Sequence, residues 1–203
     1  MKIIQEFPIT SDIGLQIVIP DVQDKFNYYY EPTEVLHKFD EVSVILTLHG
    51  ESYTVITDIV QVIICNLYHS LKRTLLHKNA LPFCIPIGSL NVAFSDDYYR
   101  NYWREEGLPR KDIVDYHQFW LWSTPNDMQS WMYNRDDAIY LEIGKMYIIP
   151  EDQEQPNDDE FQNYMAHYKP LLCAKISHEI AHDWLEKCKK IILEIDSAYE
   201  LTV

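Results

Sequence analysis

The chain has 203 residues, 47% of them hydrophobic, so it can bury a proper core and is not expected to be disordered as a whole. Its 17 Lys and Arg face 32 Asp and Glu, which leaves a formal charge of −15, and the larger surplus lies after residue 100. A surface this negative repels polyanions. We therefore expect no nucleic acid and no anionic membrane as partner, whereas a basic protein would be attracted.

The chain shows neither a secretory signal nor an apolar run of the roughly 20 residues that span a bilayer. We expect a cytoplasmic protein with a single domain over residues 1–203. The four cysteines form no C-x-x-C pair, and we expect them to be reduced, mostly buried side chains.

Short apolar segments predict strands in the first third of the chain. They lie at 2–9, 14–19, 41–48 and 52–56, and a turn is expected at His49-Gly50-Glu51. Thr57-Asp58 is typical of a helix start, and apolar residues recur at helical spacing behind it. A central helix is predicted over 57–78.

The second half alternates between aromatic and acidic segments. A short strand is predicted at 91–94, followed by a helix from Ser95 to Glu106, an aromatic meander at 117–123, 130–133 and 138–143, and a flexible acidic loop at 151–159. From Phe161 to about residue 197 the pattern predicts helix interrupted at Pro170, with Cys173 and Cys188 on its apolar stripe. The fold class is therefore α+β: an antiparallel or mixed sheet, a central helix and a long C-terminal helix.

His178-Glu179-Ile180-Ala181-His182 reads H-E-x-x-H, in which two histidines one helical turn apart bind zinc and the glutamate activates a water molecule. A third ligand is missing: Glu194 would lie about 18 Å further along the same helix. His178 and His182 also fall opposite the apolar stripe. We therefore expect no metal and no cofactor here; a zinc-dependent metallopeptidase that uses His178, Glu179 and His182 remains an alternative hypothesis.

Acidic and aromatic side chains lie side by side in two places. Rings that bury area with little entropy loss, beside carboxylates that pair with Lys and Arg, are typical of a surface for a basic partner. The predicted partner-binding residues are Asp96, Asp97, Tyr98, Glu105, Glu106, Asp136 and Asp137. Two other interpretations stay open: core packing for the rings, and ordinary solvated surface for the acid pairs. Adjacent acids point apart, which disfavours catalysis by them.

The later part of the chain resembles immunity proteins of bacterial polymorphic-toxin and contact-dependent growth inhibition systems. The residues that carry the resemblance are Trp120, Trp122, Trp131-Met132-Tyr133, Ala138-Ile139-Tyr140-Leu141-Glu142-Ile143, Tyr147 and the helix around Trp184-Leu185-Glu186-Lys187-Cys188. The resemblance implies a small cytosolic protein that binds one cognate toxin domain, often a basic nuclease, and blocks its active site or its substrate groove.

Three hypotheses follow. The first is a non-catalytic inhibitor that neutralises a cognate, basic toxin domain through an acidic, aromatic surface. The second is the zinc hydrolase, which bound zinc would distinguish. The third is an adaptor or self-associating protein, a hypothesis that the molar mass in solution would help to test. The sequence leaves the oligomeric state open.

Overall fold

The structure is a computed structural model that describes residues 1–20, 36–102, 116–118, 120–123, 128–147 and 158–196. Within these ranges the strands are β1 (Lys2–Pro8), β2 (Ile13–Ile19), β3 (Glu41–Leu48), β4 (Glu51–Ile59), β5 (Trp120–Ser123), β6 (Met128–Arg135), β7 (Ala138–Lys145) and β8 (Leu172–Ile176). The helices are α1 (Val60–Leu75), α2 (Leu90–Tyr102), α3 (Asp158–His167) and α4 (His178–Ile195), with one 3-10 turn at Tyr116–Gln118. The predicted α+β class is confirmed.

The strands form two antiparallel sheets of four, each with its strands in chain order. The first sheet is β1-β2-β3-β4 and the second is β5-β6-β7-β8. The tight turn predicted between β3 and β4 is present, with positive φ at His49 (51°) and Gly50 (87°). The aromatic meander predicted in the second half corresponds to β5, β6 and β7.

The central helix begins later than predicted. Thr57 and Asp58 belong to β4, where they pair with Ser43 and Val42 of β3. Helix α1 starts at Val60 without a side-chain cap. The N–H groups of Val60 and Gln61 donate instead to the backbone carbonyls of Asp40 (2.8 Å) and Lys38 (3.2 Å). Backbone carbonyls from a distant part of the chain thus accept hydrogen bonds from the first N–H groups of the helix, and no local sequence pattern indicates this.

The predicted helix from Phe161 onwards is two helices with a strand between them. Leu172–Ile176 pairs with β7 as strand β8. Ser177 then caps α4, its side chain accepting a hydrogen bond from the Ile180 N–H. Cys173 therefore lies on a strand, not on the helix stripe. The expectation of mostly buried cysteines is wrong: Cys188 is buried, Cys65 is half-buried, and Cys84 and Cys173 are exposed. The interruption predicted at Pro170 is present, because α3 ends at His167, shortly before that proline.

One buried cluster draws side chains from both sheets and from the facing sides of α1 and α4. Trp184 of α4 packs edge-on against Phe7, with ring centroids 5.5 Å apart, and its indole N–H donates to the carbonyl of Pro8. The Trp122 indole N–H donates to the carbonyl of Ile63 in α1. Helix α1 thus contacts strands of both sheets, and α4 packs on α1 and on β1, while β4 of the first sheet also contacts β5 and β6 of the second.

Two further predictions differ from the structure. Residues 91–94, predicted as a strand, are the first turns of α2, and Ser95 is buried inside that helix rather than capping it. Of the predicted flexible loop at 151–159, residues 151–157 lie outside the described residues, and α3 begins at Asp158. None of the described helices is long and apolar enough to cross a bilayer.

Candidate functional site

The second sheet has an outer face, turned away from the main core. Trp131 pairs with Glu142 there, and Tyr133 pairs with Tyr140. A second buried cluster covers this face; its members are Leu81, Ile85, Leu90, Tyr116, Trp131 and Tyr133. Helix α2 and the chain before it form the cover. Of the predicted partner-binding acids, Asp96 and Asp97 lie on α2, and Asp136 and Asp137 lie in the turn between β6 and β7.

Residues 79–89, directly before α2, form a covering segment. It runs parallel to β6 at Ala80, which bridges Asn134 beyond the end of β5. The Leu81 N–H donates to the Asn134 carbonyl, and the Asn134 N–H donates to the Asn79 carbonyl, both at 2.8 Å. At its far end the Gly88 N–H donates to the Tyr133 hydroxyl at 3.0 Å. Both ends of the covering segment are therefore fixed to the sheet.

Glu142 is a fully buried carboxyl beneath the start of α2. It accepts hydrogen bonds from the backbone N–H groups of Leu90 (3.3 Å) and Asn91 (3.2 Å) and from the Tyr133 hydroxyl (2.9 Å). Leu90 and Tyr133 donate to Oε2, and the Tyr168 hydroxyl lies 3.5 Å from Oε1, the oxygen that also accepts from Asn91. Glu142 thus caps α2 from the neighbouring sheet, where a carboxylate also complements the helix dipole.

Burial has the largest effect on the pKa of the Glu142 carboxyl. It raises the pKa of Glu142 above its ordinary value of 4.5, although the hydrogen bonds from Asn91, Tyr133 and Leu90 act in the opposite direction. Burial also raises the pKa values of Tyr133 and Tyr168, and the nearby Glu142 adds to both shifts. Each carboxyl oxygen has two donors from the protein, so the group is occupied in holding α2 to the sheet.

The acids predicted on α2 are only partly available to a partner. Asp96 and Asp97 are both half-buried. Asp97 accepts a hydrogen bond from the Tyr116 hydroxyl at 2.6 Å, and burial is the main cause of a raised pKa at Tyr116. Tyr98 lies in α2, but its side chain is not among those described. Glu105 and Glu106 lie outside the described residues.

The acids predicted between β6 and β7 form an exposed turn. Asp136 and Asp137 are both exposed, and Asp136 adopts the left-handed conformation with φ of 52°. Aspartate tolerates that conformation better than most residues. From Trp131, near which Tyr116 and α2 pack, to Arg135 the strand advances by about 13 Å, so the two acid pairs lie towards different ends of the outer layer.

The exposed ring of Phe83 lies beside this turn and was not predicted from the sequence. It is 86% exposed, more than any other large hydrophobic side chain among the described residues. The Arg135 guanidinium stacks over it at 5.4 Å from the ring centroid. Pro82 and Pro86 mark an irregular segment in the sequence, but nothing in that pattern indicates which apolar side chain points outwards.

The H-E-x-x-H residues lie at the start of α4. His178, Glu179 and His182 are exposed, on the side of the helix away from buried Ala181 and Trp184. Among the described residues no group of three or more His, Cys, Asp or Glu side chains is arranged to hold a metal ion. The neighbour of His178 is His77, with ring centroids 5.8 Å apart. Glu194, the carboxylate considered as a third zinc ligand, instead forms an ion pair with Lys190 on the same helix, with 3.9 Å between Oε1 and Nζ.

The comparisons with known proteins give one structural similarity. No protein-family model matches the sequence, and no curated protein matches it. The chain is similar to the crystal structure of CdiI from Burkholderia dolosa, with a TM-score of 0.39 and 12% identity, over 85% of this chain and 94% of that one. A TM-score of this size does not establish a shared fold.

Proposed function

We propose that this chain is a non-catalytic immunity protein that binds and neutralises a cognate, basic toxin domain. The observation that carries the proposal is the turn Asp136-Asp137, which presents two exposed carboxylates from a rigid β-hairpin. The contact surface is the outer layer of the second sheet, formed by this turn, the covering segment and α2.

The charge of the whole chain supports a cationic partner. A formal charge of −15 creates a negative field that speeds encounter with a basic domain, and local carboxylates then fix its orientation. Asp136 and Asp137 face solvent, so a Lys or Arg of the partner reaches them directly. Asp96, Asp97, Tyr98, Glu105 and Glu106 belong to the proposed surface as well. Asp97 contributes less to binding because Tyr116 already occupies one of its oxygens.

The acidic turn can be contacted at a low cost in conformational entropy. Exposed carboxylates on a tight turn have few rotatable bonds between them and the sheet, so little entropy is lost when a partner binds. A flexible acidic tail would lose more. This favours the hairpin turn as the acidic centre of the surface.

The hydrolase alternative has weaker support. Catalytic zinc needs three protein ligands in a cleft, whereas His178 and His182 are exposed, and the ring contact of His178 is with His77. The carboxyl of Glu142 is fully buried and held by four donors. Neither group is arranged to activate a water molecule.

The test uses the toxin that the proposal requires. The proposal predicts that a neighbouring gene encodes a large secreted protein; the C-terminal domain of that protein is expressed with and without this chain, and cell growth and direct binding are measured. We expect growth only when the chain is present, and a 1:1 complex whose association rate falls as salt rises. A domain that remains toxic in the presence of the chain contradicts the proposal.

The acidic turn is tested by neutralising it without disturbing its backbone. Asp136→Asn with Asp137→Asn removes two charges, and asparagine also accepts the left-handed conformation of residue 136. We expect binding to weaken by about tenfold, mainly through slower association. The matched control, Glu41→Gln with Glu179→Gln, removes two exposed charges elsewhere and should change affinity by less than about threefold. Equal losses in both variants would assign the effect to net charge alone.

A further inference from the structure

We infer that Phe83 is the apolar anchor of the partner interface: its ring inserts into an apolar pocket that is rimmed by Lys or Arg side chains on the toxin domain. This inference rests on the proposed function and names the part of the surface that supplies most of the binding energy. The exposed ring and the acidic turn are neighbours, because Arg135 stacks on the ring and immediately precedes Asp136 and Asp137.

The fold holds the backbone around Phe83 in place. The Ile85 N–H donates to the Pro82 carbonyl at 3.0 Å, which closes a turn with Phe83 at its second position. One Arg135 amino group, Nη2, donates to the carbonyls of Pro82 (2.9 Å) and Ile85 (2.5 Å). Ile85 is buried in the second cluster and fastens the turn from below. A second turn follows, closed by the Ser89 N–H on the Pro86 carbonyl.

This support is directed at the backbone and leaves the ring outside the core. An exposed phenylalanine contributes little to folding, yet the turn that presents it is held by three hydrogen bonds and by the burial of Ile85. A ring on a fixed turn loses little freedom on binding, and burying it removes a large apolar area from water. Aromatic anchors of this kind, inside a polar rim, dominate measured interfaces.

The charges around the ring indicate what kind of surface the partner presents. Arg135 is partly buried and engaged with backbone carbonyls, whereas Asp136 and Asp137 are exposed. A partner that covers Phe83 therefore meets carboxylates at the edge of the contact. A second copy of this chain, itself at −15, would bring like charges together there. The complementary surface is apolar at its centre and cationic at its rim.

The experiment measures binding of the same recombinant toxin domain to three variants. Phe83→Ala should weaken binding at least about tenfold, chiefly through faster dissociation, and Phe83→Trp should stay within about threefold of the wild type because it keeps a ring. Phe39→Ala is the matched control: Phe39 is also exposed (58%) and lies beneath a cation, Lys38, at 5.5 Å. It should bind within about twofold of the wild type.

The outcomes separate this inference from the proposed function. If the wild type does not bind the domain, both fall. If the wild type binds and Phe83→Ala binds equally well, only the anchor falls and the immunity function stands. Light scattering on the chain alone closes the remaining case, because a dimer that Phe83→Ala converts to a monomer would assign the ring to self-association and overturn the inference. Unchanged melting temperatures confirm that the variants are folded.

Discussion

Glu142 shows how one buried side chain organises the outer layer. Its two oxygens receive two backbone N–H groups of α2 and the hydroxyls of Tyr133 and Tyr168. A buried carboxyl with so many donors is a positioning group, since each donor would otherwise be unsatisfied away from water. The aromatic strand around Glu142 was predicted, but the burial of this charge was not. A strand position with an acidic residue is ordinarily a solvent-facing one, and only α2 makes it internal.

The raised pKa of Glu142 predicts a specific pH dependence of stability. The folded state holds the Glu142 proton more tightly than the unfolded state, because burial raises the pKa above 4.5. Its contribution to the free energy of unfolding is therefore complete below about pH 4.5 and is lost as pH rises through the folded-state pKa. Glu142→Gln lacks this titration.

The measurement is urea unfolding of the wild type and Glu142→Gln between pH 4.5 and 8. The stability of the wild type relative to the variant should decline as pH rises and then level off. A difference that is constant over this range would show that burial does not penalise the charged form. Coincident fluorescence and circular dichroism transitions establish that unfolding is two-state.

Gly144 leaves the space that Tyr168 occupies. A Cβ at position 144 would overlap the Tyr168 hydroxyl and approach its ring carbon at 3.0 Å. Gly144→Ala should therefore displace Tyr168 from Glu142 and lower the free energy of unfolding by about 1–3 kcal/mol. Tyr168→Phe removes the closest atom of the overlap. The cost of Gly144→Ala should be smaller in that background, and equal costs in the two backgrounds would contradict the contact.

At the scale of secondary-structure elements, the prediction succeeded where periodicity is uninterrupted. Strands β1, β2 and β3 and the body of α1 follow their apolar patterns closely. Strand β8 was missed because Leu172–Ile176 joins directly to α4, and five residues of alternation merge with a helical stripe. The alternation itself is visible: Leu172 and Ile176 are buried and Cys173 and Lys175 exposed. Pro170 and Ser177, read as an end and a cap, would have separated the two elements.

The cap of α4 gives a test that also bears on the H-E-x-x-H string. The Ser177 side chain accepts from the Ile180 N–H at 3.2 Å, so Ser177→Ala should cost about 1 kcal/mol of unfolding free energy. His178→Ala and His182→Ala alter exposed positions and should each change it by less than about 0.5 kcal/mol. Thermal or urea unfolding measures all three. A histidine variant that loses more than the serine variant, with zinc released, would revive the hydrolase hypothesis.

At the scale of the whole molecule, the sequence indicated the class but not the layers. Seven of the eight described strands and much of the two long helices follow from local patterns, whereas the division of the strands into two sheets and the packing of α1 and α4 on them depend on contacts between distant residues, such as Trp184 with Pro8. The candidate surface divides in the same way. Asp136 and Asp137 could be predicted because two adjacent acids in a turn are visible in sequence, and Phe83 could not, because only the fold determines that its ring points out.

The net charge predicts that neutralising the acidic turn weakens binding but does not lower the free energy of unfolding. Like charges in a chain at −15 repel one another in the folded state, so removing two exposed carboxylates relieves repulsion. Asp136→Asn with Asp137→Asn should leave the free energy of unfolding unchanged or raise it by up to about 0.5 kcal/mol, while the same variant loses affinity for the toxin domain. Chemical unfolding at about 20 and 200 mM salt measures the effect, which should be larger at low salt because screening is weaker there. A variant that is clearly destabilised would mean that the two carboxylates hold the hairpin together, and its loss of binding could then no longer be assigned to a surface kept acidic for a partner.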